Sequence, residues 1–164
     1  MGSVPAVMNS RLAALFAEVA RQAKASGAFA SVEQSSGPVA CVDPVQPEAQ
    51  FRIEADGAGL WVSWVCGNRY ISQSIEADLM WTGDDLDELI EEELADQGYG
   101  GAPLGRVEHF RNEAKQFTFR SRVPLDAERV DSAAGGRTLL ACLLAYQAAF
   151  RELGDMKPDE EEGG

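Results

Sequence analysis

His109, Cys41, Cys66 and Cys142 are the residues whose types could support nucleophilic or metal chemistry in this chain. A histidine beside a nucleophile acts as a general base, because its imidazole titrates near neutrality. His109 is the sole histidine, and no recognisable serine, cysteine or acid motif accompanies it to complete a nucleophile, base and orienting group. It reads as a residue on the surface of a strand. A zinc site needs three or four ligands at ordered spacings, which one histidine and three dispersed cysteines do not supply. The cysteines, odd in number and without paired spacing, read as buried small hydrophobes in a reducing compartment. No catalytic residue, metal ligand or cofactor is assigned.

Glycine-rich stretches offer a second kind of chemistry. Gly98, Gly100, Gly101 and Gly105 resemble a phosphate-cradling loop in composition alone. Such loops sit between a strand and a helix N-terminus, with a defined glycine spacing or a Lys-Ser/Thr pair. Here the glycines follow a helical segment and precede a strand, so they read as loop hinges. Gly135-Gly136 precedes a helix but lacks supporting residues. The carboxylates of TGDDLDELIEEELADQG, Thr82 to Gly98, do not match a calcium loop, which needs alternating acids, a central glycine and a terminal glutamate.

That acidic run is instead the clearest structural signal. Thr82 can cap a helix, with Asp85 three residues on. Leu86, Leu89, Ile90 and Leu94 then share one side, and Gly98 stops the run. The other side carries Asp84, Asp85, Asp87, Glu88, Glu91, Glu92 and Glu93 with no basic residue among them. The apolar side must lie against a sheet while the carboxylates stay in water.

The remaining elements fall around it. Ser10 or Asn9 caps a helix to Ser26, with Gly27 as its stop and Leu12, Leu15, Phe16, Val19 and Ala23 as its apolar stripe. Three prolines mark an irregular crossing from Gly37 to Pro47, with a short strand at Val39 to Val42. Phe51 to Ala55, Leu60 to Cys66 and Tyr70 to Ile75 read as strands joined by tight turns. Arg106 to Phe110 and Gln116 to Val123 form a second hairpin around Asn112 to Lys115. A last helix, Arg137 to Leu153, carries a broad apolar surface of Leu139, Leu140, Leu143, Leu144, Tyr146 and Phe150. The predicted order is α-β-β-β-α-β-β-α. It implies an α+β fold with an antiparallel twisted sheet of about five strands and helices packed on one face. Residues 10–154 form one domain, after a flexible 1–9 segment and before a disordered acidic tail at 155–164.

Alternation along these strands points Leu60, Val62, Trp64, Phe117, Phe119 and Val123 inward. Trp61 is left on the open face with Ser63, Tyr70, Ser72, Thr118, Arg120 and Arg122. Exposed tryptophan and arginine are enriched at binding hot spots, so Trp61, Tyr70, Arg120 and Arg122 are the candidate partner-binding residues. Leu140, Leu144 and Tyr146 are candidate dimer-interface residues, since so wide a stripe is either deeply buried or shared with a second subunit. Arg106, Arg111, Lys115, Arg120 and Arg122 make the hairpin locally positive, suited to pairing with the acidic helix within the chain or across a dimer.

The net charge of −13 argues against nucleic-acid or anionic-membrane binding. No apolar run reaches the ~20 residues that cross a bilayer. MGSVPAVMNSRLAAL lacks a charged segment leading into a long apolar run, and Ala6 stands where a myristoylation site prefers Ser or Thr. A cytoplasmic protein is expected.

In element order, size and acidity the chain from Ser10 to Leu153 resembles the bacterial type III secretion chaperones and the YbjN-like proteins. The resemblance implies a non-enzymatic, cytoplasmic homodimer that binds an extended segment of a partner polypeptide. The long irregular stretch from Gly27 to Gln50 departs from that pattern. Three functions are therefore weighed: a chaperone-like binding module, an acidic immunity or inhibitor protein neutralising a basic toxin or nuclease, and a small enzyme using Cys66 or His109.

Overall fold

The computed structural model describes residues 10–34, 38–57, 59–68, 70, 71, 73, 75, 86–126 and 129–155. Helix α1 spans Ser10–Ser26, and strands β1 to β4 follow at Ser31–Gln34, Val39–Val42, Ala49–Asp56 and Gly59–Cys66. Helix α2 is Leu86–Asp96, the hairpin is β5 (Glu108–Arg111) with β6 (Phe117–Val123), and α3 is Ser132–Asp155. The fold is α+β. Its six strands form one antiparallel sheet in the order β1-β2-β3-β4-β6-β5.

Why β4 lies at the centre is visible in its composition. Leu60 to Cys66 is an unbroken apolar and aromatic run apart from Ser63, and all seven residues are buried. A strand with water on one face would alternate instead. Across it, Ile53 pairs Val62, Phe51 pairs Trp64, and Trp64 in turn pairs Phe119. The inward set expected from alternation is the helix-facing set: Leu60, Val62, Trp64, Phe119 and Val123 are buried in the main core, and Phe117 is half-buried.

Helices α1 and α3 pack on that face and on each other. Phe150 of α3 stacks on Trp64, with ring centroids 4.9 Å apart and planes 10° apart, and meets Phe51 and Phe119 edge-on. The breadth of the apolar surface on α3 follows from its neighbours, because it touches α1, α2 and the sheet together.

Several boundaries differ from the sequence reading. Tyr70, Ile71, Gln73 and Ile75 are helical rather than a third meander strand. Asn68 is the reason: its Oδ1 accepts from the backbone N–H of Tyr70 at 2.9 Å and of Ile71 at 3.3 Å, the geometry of a helix cap. Strand β1, polar and four residues long, was not legible, whereas β2 at Val39–Val42 falls where the sequence places a short strand. Helix α3 begins at Ser132, five residues before Arg137, with Gly135 and Gly136 inside its first turns. Asp131 caps it by accepting from the N–H of Ala134 at 3.1 Å. At its other end the helix passes through Gly154 to Asp155.

Other ends fall where the residues put them. Gly27 has φ 70° after α1. Gly98, at φ 80°, closes α2 as its N–H reaches Ala95 O at 3.0 Å and the next N–H, from Tyr99, reaches Leu94 O at 3.0 Å. This is the paired closure that a residue of positive φ allows. Thr82 and Asp85, expected to start this helix, lie outside the described residues, as do 1–9 and 156–164. Among the described residues no helix is long and apolar enough to cross a membrane.

Candidate functional site

The sheet face turned away from the helices carries three cross-strand rows. One is Glu54, Trp61 and Arg122; the next is Ala40, Arg52, Ser63, Arg120 and Glu108; the third is Val42, Gln50, Val65, Thr118 and Phe110. The structure thus brings Trp61, Arg120 and Arg122 together on that face. Tyr70 is not a member of these rows: it sits on the helical turn after β4 and is 75% exposed.

Trp61 points to this face but is not exposed, retaining only 7% of its surface. The Arg120 guanidinium lies 3.7 Å from the centre of its ring, and Phe110 stands on the other side at 5.0 Å. Arg120 Nε donates to Glu108 Oε1 at 3.0 Å, and its Nη1 is 3.9 Å from Asp56 Oδ2. Asp56 Oδ1 accepts from Trp61 Nε1 at 2.9 Å and from the Gly59 N–H at 3.2 Å. A planar cation between two rings, with carboxylates at its edges, satisfies charge and donors together. Ser63, Val65 and Thr118 beside it are also buried, so the middle of this face is closed. The Ser63 hydroxyl is buried there without a hydrogen-bond partner among the described residues.

Arg122 is exposed and makes no ion pair among the described residues. Its side chain folds over Gly59, where an added Cβ would lie 2.5 Å from Arg122 Nε. Gly59 has φ 139°, so its backbone conformation favours glycine at that position, while the exposed Arg122 side chain can swing aside from an added methyl.

A second feature lies at the other side of the hairpin. Asp87, Glu88, Ile90 and Glu91 of α2 face Leu104, Gly105, Arg106 and Ser121 across a cleft of about 240 Å³. Asp87 Oδ1 accepts from the Val107 N–H at 2.9 Å, so the acidic helix and the start of the positive hairpin do meet within the chain. At its floor Ser121 Oγ is 2.6 Å from Tyr146 Oη, and burial holds the Tyr146 phenol far above its ordinary pKa. Tyr146 is fully buried in its own core, so the subunit interface expected on it does not fall there. Leu140 and Leu144 are half-buried.

Removing the Tyr146 hydroxyl by Tyr146→Phe strands Ser121 without its buried partner. A loss of about 1–2 kcal/mol is expected from urea unfolding. Ser121→Ala on top should cost little more, since the pair is one interaction.

The potential nucleophiles are placed for packing. Cys41, Cys66 and Cys142 are buried and free. Burial raises all three thiols, to about 12 for Cys41 and Cys142, which suppresses the reactive thiolate. His109 lies flat on Phe119, with centroids 4.0 Å apart. No group of His, Cys, Asp or Glu among the described residues could hold a metal ion.

Sequence reasoning missed Asp56, Glu108 and Phe110 as members of the Trp61–Arg120 cluster. The hairpin register would have found two of them, because Glu108 pairs Arg120 and Phe110 pairs Thr118 once the turn is fixed at Asn112–Lys115.

Fold and site together define a small α+β protein whose sheet is covered by helices on one face and closed on the other by an arginine held between aromatic rings. No family model, curated protein or solved structure matches the chain.

Proposed function

We propose that this protein is a non-enzymatic binding module that takes an extended segment of a partner polypeptide at the edge of its sheet. Strand addition supplies affinity through main-chain hydrogen bonds and leaves side-chain pockets to choose the sequence. The observation that carries this reading is β1. It is an outermost strand whose residues, Ser31, Val32, Glu33 and Gln34, include a single charge. The opposite edge, β5, carries Glu108, His109 and Arg111 in four positions, the charged pattern that guards an edge against pairing. Tyr70 and Arg122, both exposed, are the further contacts proposed for the partner. Trp61 and Arg120 would join only by opening their stack. A homodimer through Leu140 and Leu144, in the cytoplasm, completes the proposal.

A second reading has its own support. Glu88, Glu91, Glu92 and Asp96 on α2 enter no ion pair among the described residues, which suits an inhibitor of a basic toxin or nuclease.

One titration separates them. The isotope-labelled full chain is mixed with a reduced, permanently unfolded model polypeptide and followed by amide NMR at low and high salt. Edge addition predicts shifts at Ser31 to Gln34 that survive high salt and are lost in Glu33→Pro. Absence of shifts at β1 overturns it. Binding of a basic protein at α2 that collapses as salt rises supports the inhibitor instead.

A further inference from the structure

The middle row of the open face begins and ends on a glutamate. Extended to the outermost strand, it runs Glu33, Ala40, Arg52, Ser63, Arg120 and Glu108. The two ends differ in how their charge is met. At β5, Glu108 accepts from Arg120 Nε on the neighbouring strand at 3.0 Å. At β1, the residue opposite Glu33 is Ala40, which has no charge to offer. The next residue along the row, Arg52, is engaged within its own strand: its Nε donates to Gln50 Oε1 at 2.9 Å, and its Nη1 lies 3.6 Å from Glu54 Oε2. Glu33 is exposed and makes no ion pair among the described residues.

The residues of opposite parity turn to the helix-covered face. Val32 is half-buried and packs against the core, as does Phe29 shortly before the strand. A strand laid along β1 would set one side chain beside Glu33 and the adjacent one beside Val32. Opposite charges at facing positions stabilise a pair of strands, and like charges oppose it. The unmatched carboxylate therefore repels an acidic strand and becomes half of a cross-strand ion pair when the incoming residue is a cation.

Resting on the strand-addition reading above, we infer that the segment taken at β1 is basic and amphipathic, with a lysine or arginine opposite Glu33 and an apolar side chain opposite Val32. A second copy of this strand cannot supply that pattern, because Ser31, Val32, Glu33 and Gln34 include no basic residue. The net charge of −13 works in the same direction at long range, whereas Glu33 acts at contact.

The test uses the full isotope-labelled chain and short capped peptides of alternating Thr and Val, with Lys, Gln or Glu at the central polar position. Binding is followed by amide NMR at about 0.15 M salt, where the long-range field is largely screened. The Lys peptide should shift Ser31 to Gln34 and bind roughly threefold to tenfold more tightly than the Glu peptide, with the Gln peptide between them. In Glu33→Lys that order should be lost or inverted. The substitution is exposed and leaves most of the net charge in place, so the change locates the preference at this residue. Unaltered amide shifts in α1 and β4 verify that the variant is folded. Equal affinities of the three peptides at β1 overturn the inference while strand addition stands, and so does an order that persists in Glu33→Lys. Silence at β1 with every peptide overturns both, and so do Lys-peptide shifts confined to α2.

Discussion

Trp64→Ala is expected to cost about 3–5 kcal/mol, the range for truncating a fully buried aromatic. Trp64 keeps 2% of its surface and lies at the crossing of both layers. Its ring stacks on Phe150 from α3 and meets Phe119 of β6 edge-on at 5.6 Å, while Phe51 of β3 is its cross-strand partner. Removing it opens a void under α3 that Phe150 cannot fill without leaving Phe51 and Tyr146. A domain stable by about 5–15 kcal/mol loses a large share of its margin at that cost. Urea unfolding should show the midpoint falling with an unchanged slope. The matching change at Trp61, whose ring lies outside the main core and under one arginine, should cost less. Equal losses at the two tryptophans would mean that the open face is as central to stability as the helix-covered one.

Much of the fold was legible because its signals are periodic. Val62, Trp64 and Phe119 alternate with Trp61, Ser63 and Arg120, and that parity alone placed each on the correct face. The acidic helix was legible because its leucines recur at helical spacing up to a glycine, and α1 because an apolar stripe ends at Gly27. Where the reading failed, local chemistry competed with pattern. Tyr70 to Ile75 contains strand-forming residues, but Asn68 offers its carboxamide to the next turn and starts a helix instead. Strand β1 has no apolar run to announce it; it is held by pairing Val32 with Cys41 across from β2.

The candidate site was legible in part for a different reason. Alternation says which way Trp61 points but not what lies over it. Arg120 closes over the ring because Glu108 and Asp56 fix its guanidinium from two directions, and those partners come from a hairpin mate and a turn 64 residues upstream. Exposure is a tertiary property, and so an outward-facing tryptophan could be read as exposed and yet be buried. Tyr146 shows the converse. Its place in a broad stripe suggested a surface shared with another subunit, whereas α1, α2 and the sheet already account for the stripe's width.

Gly135→Val tests the other half of the core, where α3 crosses α1. An added Cβ at Gly135 would lie 2.7 Å from Leu15 Cδ1 and 3.0 Å from Val130 Cγ1. Leu15 is buried, with 1% of its surface left, so it has little room to retreat. Valine gains slightly over glycine in helix propensity, by a few tenths of a kcal/mol. Overpacking opposes that gain with a cost of about 1–3 kcal/mol and forces the two helices apart. The net expectation is a loss read as a lower urea midpoint, with α1 the first segment to lose exchange protection. Gly136→Ala is the control on the same turn. Its methyl meets Glu18 and Gln22, whose side chains are only partly buried and can swing outward. It should be close to neutral, because alanine's helix propensity offsets the displaced contacts. If Gly135→Val proved as mild as Gly136→Ala, then α1 and α3 would not be in the close contact that the glycine permits. The early start of α3 at Ser132 would then need a cause other than this crossing.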